Sequence, residues 1–196
     1  MMNYRSHLTN PMIASLLPEP KQVKQIEILD DFLPTDTFER LRSFMCSTYI
    51  PLYYIDYIVD KKGSDYQFVH RFLSSTSKSP FYKYIKPIID KISPHELMRV
   101  KANLRPKSIQ PIQTPFHTDY DIPDDPRHQF KTAIYYINTN NGYTIFKHNK
   151  QQVQSKANRL LVFNGHLHHA GVSNTDNNKN RIVININYYP AYIYKP

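Results

Sequence analysis

Arg181-Ile182-Val183-Ile184-Asn185-Ile186-Asn187-Tyr188 puts Ile182, Ile184, Ile186 and Tyr188 on one side and Arg181, Asn185 and Asn187 on the other. A period of two with one apolar side marks a strand that is half-buried in a core. Reading outward from it, Asn158-Arg159-Leu160-Leu161-Val162-Phe163-Asn164-Gly165 is an apolar strand that ends in a turn. Asn141-Gly142-Tyr143-Thr144-Ile145-Phe146 reads as a turn leading into a strand, and Lys131-Thr132-Ala133-Ile134-Tyr135-Tyr136-Ile137-Asn138 as another strand. Met98-Arg99-Val100-Lys101-Ala102-Asn103-Leu104 alternates in the same way. From Arg99 onward the chain is therefore almost all strands and turns.

The first half differs. Residues 1–22 carry several prolines and little periodicity, as expected of an N-terminal arm. Ile26 to Leu33 reads as a short strand running into a turn. A helix is predicted from Asp36 to Ser47, with Asp36 and Glu39 as a capping box and Phe38, Leu41, Phe44 and Met45 as its apolar face. Tyr53–Val59 and Tyr66–Leu73 read as strands joined by a hairpin loop, Lys61-Lys62-Gly63-Ser64-Asp65. A second helix is predicted from about Ser79-Pro80 to Ile92, with Pro87 kinking or shortening it. Helices early and strands late imply a mostly β architecture, a barrel or sandwich buttressed by flanking helices.

Length sets one domain of 196 residues, large enough for a real core. Its expected parts are the arm (1–22), supporting helices and strands (23–97) and a core (98–190). No apolar run approaches the roughly 20 residues of a membrane span, and Met1-Met2-Asn3-Tyr4-Arg5 leads into no secretory h-region. With a single cysteine, Cys46, there is no internal disulfide framework, which fits a reducing, cytoplasmic setting. Cys46 is expected in a helix as a small core residue. The net charge of +9 favours an anionic partner. The basic residues are scattered, with no run longer than Lys61-Lys62, so dedicated nucleic-acid binding is not favoured over a solvated basic surface.

Chemistry enters with His117-Thr118-Asp119, followed far downstream by His169 and then Arg181. Alone the triplet proves little, because with 9 His and 16 acidic residues a chance His-x-acid occurs roughly 0.7 times per chain. Its context carries the weight: the candidate ligands lie at the ends of strand-like runs, where a barrel mouth gathers them. Two imidazoles and a carboxylate take one face of an octahedron around a non-haem iron and leave the other open for substrate and dioxygen. A trailing arginine can hold the far carboxylate of an anionic co-substrate. The plainer alternatives are a surface histidine beside a carboxylate and a barrel-end ion pair.

Taken together, these segments resemble the iron(II)/2-oxoglutarate-dependent dioxygenases. Within them the chain is most similar to the prolyl 4-hydroxylase-like branch and its small phage-type members. The resemblance rests on Ile26–Leu33, Arg99–Leu104, Phe116-His117-Thr118-Asp119, Ile134–Asn138, Asn141–Phe146 and Asn158 through Tyr188. It is close over the second half and looser over the first, and it leaves a phage origin open. It implies a double-stranded β-helix, or jelly-roll, core. It implies that His117, Asp119 and His169 bind Fe(II) and that Arg181 pairs with the distal carboxylate of 2-oxoglutarate. Tyr136 would help hold that carboxylate, and Asn103 would face the co-substrate. The implied reaction consumes 2-oxoglutarate and O2, releases succinate and carbon dioxide, and hydroxylates an unactivated C–H. The implied substrate is a prolyl residue of a peptide or protein, with a nucleobase or free amino acid as the alternative. A non-catalytic jelly-roll binding protein and a cupin-like metal enzyme are the other classes, and Asp119 with Arg181 argues against both. Two details depart from the family pattern. Val183 stands where relatives carry a small polar residue, and His166 and His168 crowd His169. His168 is the alternative distal ligand, while His166 is expected in a turn and His70 in a packed or exposed strand.

Overall fold

The computed structural model describes residues 26–59, 61, 65–120 and 130–191. The expected arm at 1–22, the acidic stretch 121–125 and most of the 61–65 hairpin loop lie outside the described residues. In chain order the elements are β1 (Ile26–Leu29), α1 (Thr35–Met45), β2 (Tyr53–Ile55), β3 (Gln67–Leu73), α2 (Tyr82–Ile92), β4 (Pro94–Pro106), β5 (Lys131–Tyr136), β6 (Tyr143–Phe146), β7 (Gln152–Gln154), β8 (Arg159–Asn164), β9 (His169–Val172) and β10 (Asn180–Pro190).

The strands form a jelly-roll of two antiparallel sheets. The larger has the order β1-β8-β5-β10-β4-β3-β2 and the smaller β7-β6-β9. Bridges Gln113↔Val172 and His117↔His169 lay the segment before Asp119 along the free edge of β9. The alternation in β10 decides what each face of the large sheet does. Ile182, Ile184, Ile186 and Tyr188 join Val100, Ala102, Ala133 and Tyr135 under the two helices. The opposite face gives Val183 to a second cluster with Ile134, Tyr136, Phe146, Val153, Leu161 and Phe163 between the sheets. Cross-strand pairing puts Val183 opposite both Asn103 and Tyr136. A slip of one residue would turn every polar side chain of β10 into the helix-facing core, so burial on both faces holds the register.

The helices pack as their spacing predicts, through Phe38, Leu41, Phe44 and Met45 in α1 and Ile85, Ile88 and Ile89 in α2. Their ends differ from the sequence reading. The N-cap of α1 is Pro34, with no side-chain cap, and Asp36 already lies in the first turn. There its carboxylate meets the positive end of the helix dipole and no capping box forms. Cys46 is the exposed C-cap of α1 and not a core residue, because the helix stops at Met45. The second helix begins at Tyr82, after a turn in which Ser79 Oγ accepts from the Phe81 N–H at 3.1 Å. Pro87 sits inside α2 without ending it. The carbonyl it deprives of a donor belongs to exposed Lys83, within reach of water. The expected strand at Tyr53–Val59 is only Tyr53–Ile55, whereas β7 and β9 are too short for their periodicity to show. No helix among the described residues is long and apolar enough to cross a membrane.

Gly165 closes the turn after β8 directly against the fully buried Phe130 ring. A β-carbon at Gly165 would land inside that ring. Gly165→Ala is therefore expected to destabilise the protein by about 1–3 kcal/mol, read as a lower denaturation midpoint with an unchanged m-value.

Candidate metal centre

His117, Asp119 and His169 converge from two neighbouring segments of the small-sheet side. One ligand atom from each lies within 4.8 Å of the others. The backbone forces this meeting, because His117 and His169 exchange both N–H···O bonds at 3.0 and 2.9 Å. Each imidazole is oriented by its own turn. His117 Nδ1 lies 3.0 Å from the Pro115 carbonyl and His169 Nδ1 lies 3.1 Å from the Leu167 carbonyl. A carbonyl only accepts, so both Nδ1 atoms carry the proton and both Nε2 lone pairs are free to bind a metal. His168 is exposed and outside this cluster, and His166 occupies the preceding turn. His169→Ala is thus expected to abolish metal binding while His168→Ala leaves metal stoichiometry unchanged; metal analysis of the two proteins separates them.

Asp119 is held by groups not anticipated in the sequence. Arg99 Nη2 donates to its Oδ1 at 3.1 Å, and Asn187 Nδ2 donates to its Oδ2 at 3.1 Å. Arg99 Nε also donates to Asn187 Oδ1 at 3.0 Å, and the guanidinium lies 4.8 Å from the centroid of the Tyr120 ring. Burial would push the Asp119 carboxyl up, but His169, Arg99, Asn187 and His117 outweigh it and hold it at about 2. The carboxylate is ionised and aimed without help from a metal. Arg99→Met is expected to weaken metal binding by roughly 10–100-fold, the usual effect of losing a partner of a ligand, read by competition with a metallochromic dye.

The cavity beside the triad is lined by Lys101, Asn103, Arg105, Thr144, Arg181 and Asn185 among others. Arg181 is buried. Its Nε donates to Ser155 Oγ at 2.9 Å and its Nη2 to Thr144 Oγ1 at 3.1 Å. Burial pulls its guanidinium below the ordinary arginine range, with Tyr136 opposing and Arg105 adding to the shift. Tyr136 is fully buried behind this pair and donates to Thr144 Oγ1 at 2.8 Å. Both acceptor positions of the Thr144 hydroxyl are then taken, and its proton is left to donate toward the cavity. Gly142 leaves room for the arrangement, because a β-carbon there would come within 2.9 Å of Arg181 Cδ and of the Val172 carbonyl. Arg105 is fixed by Asp65 at 3.0 Å. Asn103 also lines the cavity, and its buried Oδ1 has no hydrogen-bond partner among the described residues. His70 lies away from it, bonded to the Pro51 carbonyl at 2.8 Å and Ser79 Oγ at 2.9 Å, a packed histidine.

No protein-family model matches the chain, and no curated protein matches it in sequence. Solved structures do. A viral collagen prolyl hydroxylase from Paramecium bursaria Chlorella virus 1, in complex with 2-oxoglutarate, is 17% identical with a TM-score of 0.56, over 86% of this chain and 97% of that one. A Burkholderia pseudomallei oxidoreductase of the 2OG-Fe(II) oxygenase family is 11% identical with a TM-score of 0.63, over 84% and 85%. A Trichoplax adhaerens prolyl hydroxylase, in complex with a hypoxia inducible factor peptide, is 15% identical with a TM-score of 0.58, over 84% and 83%. The chain has the fold of the 2-oxoglutarate/Fe(II) oxygenases, and prolyl hydroxylases are among the proteins that share it.

Proposed function

We propose that this chain is an Fe(II)- and 2-oxoglutarate-dependent dioxygenase that hydroxylates an unactivated C–H, with a prolyl residue of a peptide or protein as substrate. The observation that carries the reading is the convergence of His117, Asp119 and His169, with both Nε2 atoms free, beside a cavity that also contains buried Arg181. Two imidazoles and one carboxylate on one side of a site suit ferrous iron and leave the other side open. Fe(II) held by His117, Asp119 and His169 would supply the redox chemistry that couples O2 and 2-oxoglutarate to hydroxylation, with carbon dioxide and succinate as by-products.

The residues divide the remaining work. His117, Asp119 and His169 hold the metal, and Arg99 with Asn187 keeps Asp119 aimed. Arg181 meets the distal carboxylate of 2-oxoglutarate with the donors it does not spend on Ser155 and Thr144, since a guanidinium fork matches a carboxylate. Thr144 donates its remaining proton to the same carboxylate, and Tyr136 holds Thr144 in that orientation from behind. Asn103, which lines the cavity, would face the co-substrate. The apolar wall of Ile134 and Val183 excludes water from the reacting atoms.

Anaerobic titration of the Fe(II)-loaded protein with 2-oxoglutarate tests the co-substrate assignment, with a visible charge-transfer band as the expected result. Succinate release stimulated by a proline-containing peptide, with a mass gain of one oxygen on proline, tests the substrate. A properly folded, iron-replete protein without the band would sink the proposal. Thr144→Val is expected to raise the 2-oxoglutarate requirement by about 10-fold or more, the effect of losing one hydrogen bond to a charged group, with metal content unchanged.

A further inference from the structure

We propose that Lys101 is the docking point for an oxyanion of the substrate, a carboxylate or a phosphate, held in the cavity beside the metal triad. This rests on the metal and 2-oxoglutarate reading above and adds to it what the substrate must carry. Alternation along β4 points Arg99, Lys101, Asn103 and Arg105 to the same face, and Lys101, Asn103 and Arg105 line the cavity with Arg181 of β10. Three of the four cations are engaged. Arg99 is paired with Asp119, Arg105 with Asp65, and Arg181 is bonded to Ser155 and Thr144 with its free donors assigned to 2-oxoglutarate. Lys101 has no hydrogen bond or ion pair among the described residues, yet it lines the same cavity as all three metal ligands.

Its neighbours supply further hydrogen-bonding groups. Asn185 sits directly across from Lys101 in the β10–β4 register, and Asn103 is two residues along β4. Both Asn185 and Asn103 line the cavity with a buried Oδ1 that has no partner. Buried polar groups are normally hydrogen-bonded; the two amide oxygens can only accept, so they suit the N–H donors of the Lys101 ammonium and would aim it, while the NH2 groups of the same side chains can donate to an oxyanion. Charge says which sign. Among the described residues, Arg99, Lys101, Arg105 and Arg181 are matched by Asp65 and Asp119 alone, which leaves two positive charges uncompensated there. A divalent metal together with dianionic 2-oxoglutarate changes that balance by nothing. An uncompensated cation in a partly dry cavity is unfavourable, and a negative group of the substrate relieves it. Burial, then Arg99, pulls the Lys101 ammonium down to about 8, with Asp119 opposing and Arg71 adding a smaller pull. Arg181 and Asn185, the residue opposite Lys101, are four residues apart on β10, or about 13 Å of strand, so the guanidinium assigned to the distal carboxylate and the Lys101 ammonium enter the cavity from different points of the sheet.

The test uses protein loaded with Mn(II), with and without 2-oxoglutarate, titrated separately with acetate, inorganic phosphate and the neutral control acetamide. Nuclear relaxation of each probe reads its approach to the paramagnetic ion. The expected result is saturable relaxation of acetate or phosphate but not acetamide, weakened about 10-fold or more in Lys101→Met and restored in Lys101→Arg. Whichever of the two anions responds more strongly identifies the oxyanion. Unchanged manganese content and unchanged relaxation of 2-oxoglutarate itself show that Lys101→Met is folded. Equal relaxation of the anion in wild type and Lys101→Met would mean that it binds the metal directly, and would overturn the proposal, as would no saturable relaxation by either anion. If the anion responds at Lys101 but 2-oxoglutarate never does, the co-substrate reading fails and the anion site stands.

Discussion

Asp119→Ala is expected to abolish stoichiometric metal binding and, with it, turnover. Losing a mere partner of a ligand costs roughly 10–100-fold in metal affinity, so losing the only anionic ligand of the triad should exceed that range. The metal-free protein should suffer too. Arg99 and Asn187 both spend donors on this carboxylate, whose side chain is only 6% exposed, against 20% for Arg99. The alanine leaves those donors facing an apolar methyl, a loss of about 1–3 kcal/mol in apoprotein stability. Asp119→Asn should split the two effects. It retains the shape and one acceptor oxygen, so it recovers part of the stability while metal binding stays impaired for want of the charge. Metal analysis and denaturant unfolding of both variants supply the check, and full metal stoichiometry in Asp119→Ala would remove Asp119 from the site.

Arg181→Ala should leave the metal in place and raise the 2-oxoglutarate requirement on the order of 100-fold or more, since truncating one partner of a buried charge pair costs about 2–5 kcal/mol. The same substitution strips hydrogen bonds from Ser155 and Thr144, and the Tyr136 ring loses a guanidinium 5.5 Å from its centroid. Arg181→Lys keeps the charge but not the fork, so it should fall between wild type and alanine. An unchanged affinity for 2-oxoglutarate in Arg181→Ala, measured by the charge-transfer titration, would show that the arginine is only a structural ion. Gly142→Ala also disturbs Arg181 without removing the guanidinium, because its β-carbon crowds Arg181 Cδ, although it presses on the Val172 carbonyl as well.

Much of the candidate site is legible in the sequence. The His-x-Asp pair is local, Arg181 opens a strand whose alternation is plain, and the helix faces follow their spacing. Between His168 and His169 the resemblance favours His169 and leaves His168 as the alternative, because adjacent strand residues differ only in which side they face. The pairing of His169 with His117 and Phe146 turns His169 inward and leaves its neighbour exposed. Tyr136 was legible as a candidate, but not its reach, which ends on Thr144.

The order of strands, the apolar faces and the identity of the candidate ligands are properties of the chain read by itself, because periodicity and residue chemistry are local. Which face of each strand becomes the interior, and who meets whom there, belong to the tertiary structure. Arg99 reaches Asp119 and Asn187 from a strand far away in sequence, and Lys101 lies beside them, with no partner among the described residues, because β4 lies against β10 in one register. Long-range pairing sets those contacts, since the burial of two opposed faces, and no short stretch of residues, selects the register.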